Sequence, residues 1–235
     1  MEWERLLSRR RLCGGVDGDD PARTAELRDM DRVVFSAAFR RLQDKTQVFP
    51  LPLSDYVRTR LTHSLETSCV GRSLGAIAGA ALIERHKLSS SLAPIDFGVT
   101  VAVACLAHDI GNPPFGHSGE DAIQHWFRTS PQAKVLLNEL TPRQQHDFLH
   151  FEGNAQGFRI LTRLQNADER GGLKLTCSTL GAFTKYPREA LGSYDERRHG
   201  GASAKKHGFF QSEVEYFEEI ASVCGIPLRR LIAAG

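Results

Sequence analysis

Apolar residues recur at helical spacing along most of this 235-residue chain, and a few sharp breaks punctuate the pattern. From Arg28 onward, Val33, Val34, Ala37, Ala38 and Leu42 share one helical face. Residues 59–86 predict one long helix whose apolar stripe is Leu61, Leu65, Cys69, Leu74, Ile77, Ala81 and Leu82. Residues 95–109, IDFGVTVAVACLAHD, are apolar nearly all round, the pattern of a buried helix. Their valines would also suit a strand, but length and alanine content favour the helix, which Gly111 and Pro113-Pro114 stop. A third helix starts at Ser118, where Ser118 and Asp121 have capping-box spacing, and carries Ala122, Ile123, Trp126 and Phe127 over 119–128. Helical periodicity returns over 143–165 and again over about 212–224, with Val214, Phe217, Ile220 and Ala221.

The breaks are of a different character. Residues 12–22 form a Gly/Asp-rich loop, VFPLPLSD (48–55) is interrupted by two prolines, and 169–210 is rich in Gly, Pro and charge. Internal repeats and convincing alternating strands are lacking, so the predicted class is all-α. The expected organisation is an N-terminal helix and flexible segment, 1–27, ahead of one domain over 28–235.

Composition narrows the function classes. The chain is 41% hydrophobic and 25% charged with a net charge of +2, so no global field favours nucleic acid or a membrane surface. Local basic clusters exist at Arg40, Arg41 and Lys45, at Arg58 and Arg60, and at Lys205, Lys206 and His207. They could meet phosphates, although for any one cluster taken alone a solvated face is the expectation. The five cysteines, Cys13, Cys69, Cys105, Cys177 and Cys224, are odd in number and lack CxxC spacing, which argues against a zinc ribbon or a disulfide framework. Cys69 and Cys105 read as small core residues, and a reducing, cytoplasmic compartment fits. The N-terminus has no apolar run long enough for a signal peptide, and no segment approaches the roughly 20 apolar residues of a membrane span.

The chemistry concentrates in LAHDIGNPPFGHSGEDAI, residues 106–123. His108 and Asp109 end the buried helix, where imidazole nitrogen and carboxylate oxygen can converge on one divalent ion. His63, on the preceding long helix, is a third candidate ligand. A rival set is His146-Asp147 with His150 one helical turn on, which also has ligand spacing. It sits in the polar run RQQHDFLHFEG, so a solvated face is expected for His146 and Asp147.

Five motifs then resemble the dGTP triphosphohydrolase branch of the HD-domain phosphohydrolases. They are RRLQDKTQVFP (40–50), RTRLTHSLE (58–66), AHDIGNPPFGHSGEDAI (107–123), HFEGNAQGFRIL (150–161) and KKHGFFQSE (205–213), in the family's order. The resemblance implies an all-helical HD fold and a divalent metal ion (magnesium, manganese, cobalt or similar) held by His63, His108 and Asp109. It implies that His117 and Glu120 are the catalytic histidine and its acidic partner. Gln43 and Arg60 match positions that face the nucleotide, and Lys185 and Tyr186 match a segment near the triphosphate. Asn112 and Asn154, inside matching motifs, are counted with the substrate-binding residues. The implied reaction cleaves a dNTP between the sugar oxygen and the α-phosphorus, releasing deoxynucleoside and inorganic triphosphate. The implied partners are dGTP or another dNTP, single-stranded DNA as in some relatives, and further copies of the chain as in full-length relatives; no membrane is implied.

One family feature is not found. The resemblance places a fourth ligand, an Asp, on a helix after FFQSE, but EVEYFEEIASVCGIPLRRLIAAG supplies only glutamates. The expected fold is therefore incomplete at the C-terminus, with weakened metal binding and weak or absent activity unless a partner chain completes the site. The alternative is an inactive remnant or regulatory subunit that binds dNTP or a homologous subunit.

Overall fold

The computed structural model describes residues 2–16, 20, 22–47, 58–88, 92–190 and 206–226. The loop expected over 48–55, Lys205 and the stretch after 226 lie outside these residues. In chain order the helices are α1 (Trp3–Leu6), α2 (Ala25–Phe35), α3 (Ala37–Arg40) with a 3-10 turn Arg41–Asp44, α4 (Arg60–His86) and α5 (Pro94–Ala107). There follow α6 (His117–Thr129), α7 (Pro131–Asn138), α8 (Pro142–Leu149), α9 (Gly153–Arg159) with a π-helical turn Ile160–Leu164, α10 (Cys177–Phe183) and α11 (Val214–Cys224). Extended pairing among the described residues is limited to isolated bridges such as Arg11–Thr176 and Thr46–Thr59. The protein is all-α, as its periodicity predicts.

Several boundaries differ from the pattern for local reasons. The helix expected from Arg28 through Leu42 breaks at Ser36, whose hydroxyl accepts from the Phe39 N–H at 3.2 Å and so caps a new helix. The helix expected over 143–165 breaks at His150–Glu152 into α8 and α9. The capping box at Ser118 and Asp121 does not form. Phe115 and Gly116 both take positive φ, 65° and 56°, and α6 starts directly after them with Ser118 already inside its first turn. α4 is capped by Thr59, whose hydroxyl accepts from Thr62 N–H at 3.3 Å.

The largest departure concerns α4. Most of its leucine stripe does not face the core: Leu65 is 44% exposed, Leu74 61% and Ile77 68%. Ser64, Ser68, Gly71, Gly75 and Gly79 are buried instead, against α5. A Cβ on Gly75 would lie 3.0 Å from Gly98 Cα and Phe97 O, and one on Gly71 would lie 2.7 Å from Cys105 Sγ. Each helical glycine costs about 1 kcal/mol in propensity relative to alanine. Backbone-to-backbone contact along several turns offsets this through close dispersion contacts. Cys69, on the outer side, is exposed rather than core, and Cys105 is half-buried in the seam.

α5 is buried along most of its length, including Phe97, Val99, Ala102, Val103 and Leu106, and packs against α4, α2 and α10. Around it Val33, Ile110, Phe158, Leu175, Leu180, Phe217 and Ile220 fill the core. Leu12 is fully buried with them. Next to it the buried Arg11 Nη1 donates to Asp29 Oδ1 at 2.7 Å, and Asp29 Oδ2 accepts from the N–H and hydroxyl of Thr176, the N-cap of α10.

Candidate active site

The end of α5 and the turn that follows form the floor of the site. His108 Nδ1 lies 2.7 Å from Cys105 O, which assigns the proton to Nδ1 and leaves the Nε2 lone pair free. That nitrogen is 3.4 Å from Asp109 Oδ1. The His63 ring, one turn into α4, meets the His108 ring edge-on at 5.2 Å. Ligand atoms of His63, His108 and Asp109 all lie within 4.8 Å of one another, a group that could hold a metal ion. The glycine seam is what permits this, because only small residues let α4 come close enough to set His63 beside His108.

Asp109 is buried and doubly held. Its Oδ2 accepts from Arg60 Nη1 at 2.9 Å and its Oδ1 from Asn112 Nδ2 at 2.5 Å. Lys45 Nζ donates to Asn112 O at 2.7 Å. Burial, with the nearby Arg60 charge, lowers the Lys45 pKa below its ordinary value.

A second cluster stands at the start of α6. Glu120 is buried, and its Oε1 accepts from the Gly153 N–H at the head of α9 at 2.8 Å. Burial first and the neighbouring Glu152 second raise its pKa. Buried Glu152 Oε1 accepts from Lys206 Nζ at 3.0 Å and from Asn154 Nδ2 at 2.6 Å. Lys206 Nζ is also 3.4 Å from His117 Nε2. Burial opposes the Lys206 charge, but the bond to Glu152 outweighs it and the pKa rises. Gly208 has no Cβ, and one there would lie 2.2 Å from Tyr186 O, so the Lys185-Tyr186 strip runs close beside the Lys206 segment. Lys185 Nζ sits 5.4 Å from the Tyr186 ring centre.

The structure thus gathers His63, His108, Asp109, Arg60 and Asn112 on one side of the Gly111–Gly116 turn. His117, Glu120 and Asn154 lie on the other side, with Tyr186 beside the Lys206 segment. Gln43 is exposed on the 3-10 turn, two residues before Lys45. Asn112 and Asn154 spend their amides on Asp109 and Glu152. Three participants escaped sequence reasoning. Lys45 and Lys206 looked like members of solvated basic clusters, yet both are half-buried within the site. Glu152 lies inside the HFEGNAQGFRIL motif but was given no role there.

The rival set dissolves. The His146 and His150 rings stack at 5.5 Å, but Asp147 is buried, contrary to a solvated face, and accepts from the Gln211 N–H at 2.8 Å. Burial pushes its carboxyl up to about 7.

Residues 60–152 match the HD domain, the class that this helical core and its His…His-Asp group define. The chain is 53% identical over 96% of its length to a deoxyguanosinetriphosphate triphosphohydrolase-like protein of Synechocystis, covering 52% of that protein. A protein of the same description from Pseudomonas aeruginosa is 49% identical over 97% of the chain and is covered over 50% of its length. The deoxyguanosinetriphosphate triphosphohydrolase of Klebsiella pneumoniae is 39% identical over 80% of the chain, which covers 41% of it. The chain is thus similar over nearly its whole length to triphosphohydrolase-like proteins and spans about half the length of the curated relatives it matches. No helix among the described residues is long and apolar enough to cross a membrane.

Proposed function

We propose that the chain carries the metal- and phosphate-binding part of a dNTP triphosphohydrolase that acts on dGTP or a related deoxynucleoside triphosphate. The observation that supports this most is the pairing of a three-donor metal group with an acid–base cluster across one short turn, ringed by Arg60, Lys45 and Lys206. The donor set suits a divalent ion: His108 presents a free nitrogen, and buried Asp109 draws a cation to its carboxylate. Held by His63, His108 and Asp109, such an ion supplies a Lewis acid for a phosphoryl oxygen.

The protein's own groups do the rest. Arg60, Lys45 and Lys206 hold and neutralise the phosphates, the main demand of phosphoryl transfer. The water oxygen bonds to the α-phosphorus and gives up a proton to solvent, the bond to the sugar oxygen breaks, and His117 delivers a proton to that oxygen and is recharged from solvent. Glu120, anchored on the Gly153 N–H, fixes the position of the first turn of α6 and with it that of His117. The deoxynucleoside and inorganic triphosphate leave. That the group has three donors among the described residues supports a second reading, a dNTP-binding subunit that turns over only beside another chain.

The test is chromatography of dGTP incubated with the manganese-loaded chain. Deoxyguanosine and inorganic triphosphate are expected. His117→Ala should lower kcat by roughly 10²–10⁴-fold, the usual worth of general acid catalysis. Lys206→Met should chiefly raise KM. Absence of product, together with manganese affinity that His108→Ala does not change, would reject the proposal. Nucleotide binding without turnover would favour the subunit reading.

A further inference from the structure

A cleft of about 250 Å³ opens between α8, α9 and the Phe210–Ser212 segment. No residue of the metal group or of the acid–base cluster lines it. Its apolar walls are Phe148, Phe151 and Phe210, and its polar lining includes Asp147, Arg159 and Gln144. The Phe151 and Phe210 ring centres stand 6.1 Å apart. Phe148 is packed on Phe127 at 4.8 Å, which steadies its ring. Arg159 is half-buried, and no hydrogen bond or ion pair holds its guanidinium among the described residues.

Asp147 is the nearest answer to that charge, and it is a poor one. Its Oδ2 accepts from the Gln211 N–H at 2.8 Å. Burial first, then the neighbouring Glu213 and Glu189, push its carboxyl up to about 7, against the Gln211 N–H and Arg159. Glu213 and Glu189 already face Arg163 and Arg143. Below neutrality Asp147 keeps its proton, and Arg159 remains as the net charge of the cleft. A guanidinium beside apolar walls calls for an anion with two parallel oxygens. Three phenylalanine rings call for a flat apolar body. The volume lies just under the roughly 300–1,000 Å³ of pockets for larger ligands, so the body is small. We propose that this cleft is a second ligand site, for a planar aromatic carboxylate of one or two fused rings: the rings lie against Phe148, Phe151 and Phe210, and the carboxylate pairs with Arg159. Phe151 adjoins Glu152, and Phe210 follows Lys206 by four positions, so the occupant packs on the two segments that this ion pair joins.

The experiment is calorimetric titration of the full chain with 2-naphthoate at pH 6. Cyclohexanecarboxylate, which is not flat, and naphthalene-2-carboxamide, which is not charged, are the controls. A dissociation constant on the order of 100 µM is expected for a ligand of this size, and each control should bind about tenfold more weakly or worse. Arg159→Gln should weaken 2-naphthoate binding roughly ten- to a hundredfold, the worth of one charge-assisted hydrogen bond. Gln144→Glu decides the matter if Arg159→Gln does not fold. It sets a negative charge on the wall yet keeps the capping box with Thr141, because glutamate serves there as glutamine does. It should weaken binding about tenfold, the worth of one pKa unit. Raising the pH to 8 ionises Asp147 and should weaken binding severalfold, and Asp147→Asn should remove that dependence. Lys206→Met should leave the affinity unchanged. The proposal is overturned by absence of saturable binding at millimolar 2-naphthoate, by equal binding of the controls, or by indifference to both Arg159→Gln and Gln144→Glu. Loss of binding in Lys206→Met with none in Arg159→Gln also overturns it, because the anion then sits in the acid–base cluster.

Discussion

The two sides of the candidate site are held in place by different physics. On the side of His63, His108 and Asp109, α4 and α5 meet backbone to backbone through Gly71, Gly75, Gly79 and Gly98. On the side of Glu120, Glu152 and Lys206, distant segments are joined by ionisable side chains: Glu120 to the Gly153 N–H, Asp147 to the Gln211 N–H, and Lys206 to Glu152. The first arrangement has no room for added volume. The second tolerates volume better but depends on protonation. The His63, His108 and Asp109 group, which could hold a metal ion, thus stands on the stiff side, and Glu120, Glu152 and Lys206 stand on the adjustable side.

The sharpest way to break this contrast is to add volume to the seam. Gly75→Leu places a side chain where even a Cβ would lie 3.0 Å from Gly98 Cα and Phe97 O. Neither backbone atom can move alone, so α4 and α5 must part. The expected loss is about 4 kcal/mol, at the upper end for overpacking and beyond most single substitutions. Urea denaturation measures it, and manganese affinity should fall with it because His63 leaves His108. A loss below about 1 kcal/mol would mean that the seam is not close-packed.

Next in size is a pH effect confined to the adjustable side. Asp147 is pushed up to about 7 by burial, with Glu213 and Glu189 adding to the rise and the Gln211 N–H and Arg159 opposing it. In the unfolded chain the group returns to the ordinary aspartate value of 3.8. Between those values the folded state binds a proton that the unfolded state does not, so this group's contribution is present at low pH and is lost as pH rises through about 7. Asp147→Asn keeps an oxygen for Gln211 and removes the charge. It should stabilise the chain at pH 8 by about 2–4 kcal/mol, at 1.36 kcal/mol per pKa unit, and much less at pH 5. Melting curves at the two pH values decide it. A pH-independent difference would remove titration of Asp147 as the cause.

The same contrast governs what could be read in the sequence. His108, Asp109, His117 and Glu120 stood out because they flank helix ends and a Gly-Asn-Pro-Pro turn within one short span, whereas His63 lies on the preceding helix and the roles of His117 and Glu120 came from the family resemblance. Lys206 meets His117 and Glu152 across 89 and 54 positions, and no periodicity reports such a meeting. Lys45 and Lys206 resembled solvated charges because their burial comes from other segments. On α4 periodicity misled outright. Leucines at helical spacing were read as the inner face, whereas the close approach of α5 selects for the smallest side chains and turns much of the apolar stripe outward. The start of α6 was misplaced because it is set by Phe115 and Gly116, a positive-φ pair just outside the pattern.

The smallest predicted effect tests that reversal of faces directly. Ile77 lies between Gly75 and Gly79 in sequence but is 68% exposed, whereas the two glycines are buried against α5. If the inner face of α4 were its apolar stripe, Ile77→Lys would bury a charge and cost several kcal/mol. With the faces as observed, the lysine projects into solvent and replaces a β-branched residue with a better helix former. Stability should then change by no more than about 0.5 kcal/mol, and manganese affinity should not change. Urea midpoints for Ile77→Lys and Gly75→Leu measured side by side give the comparison in one experiment. Two residues apart on one helix, the nominally drastic exchange should be nearly silent, and the addition of an aliphatic side chain should be the one that parts the helices.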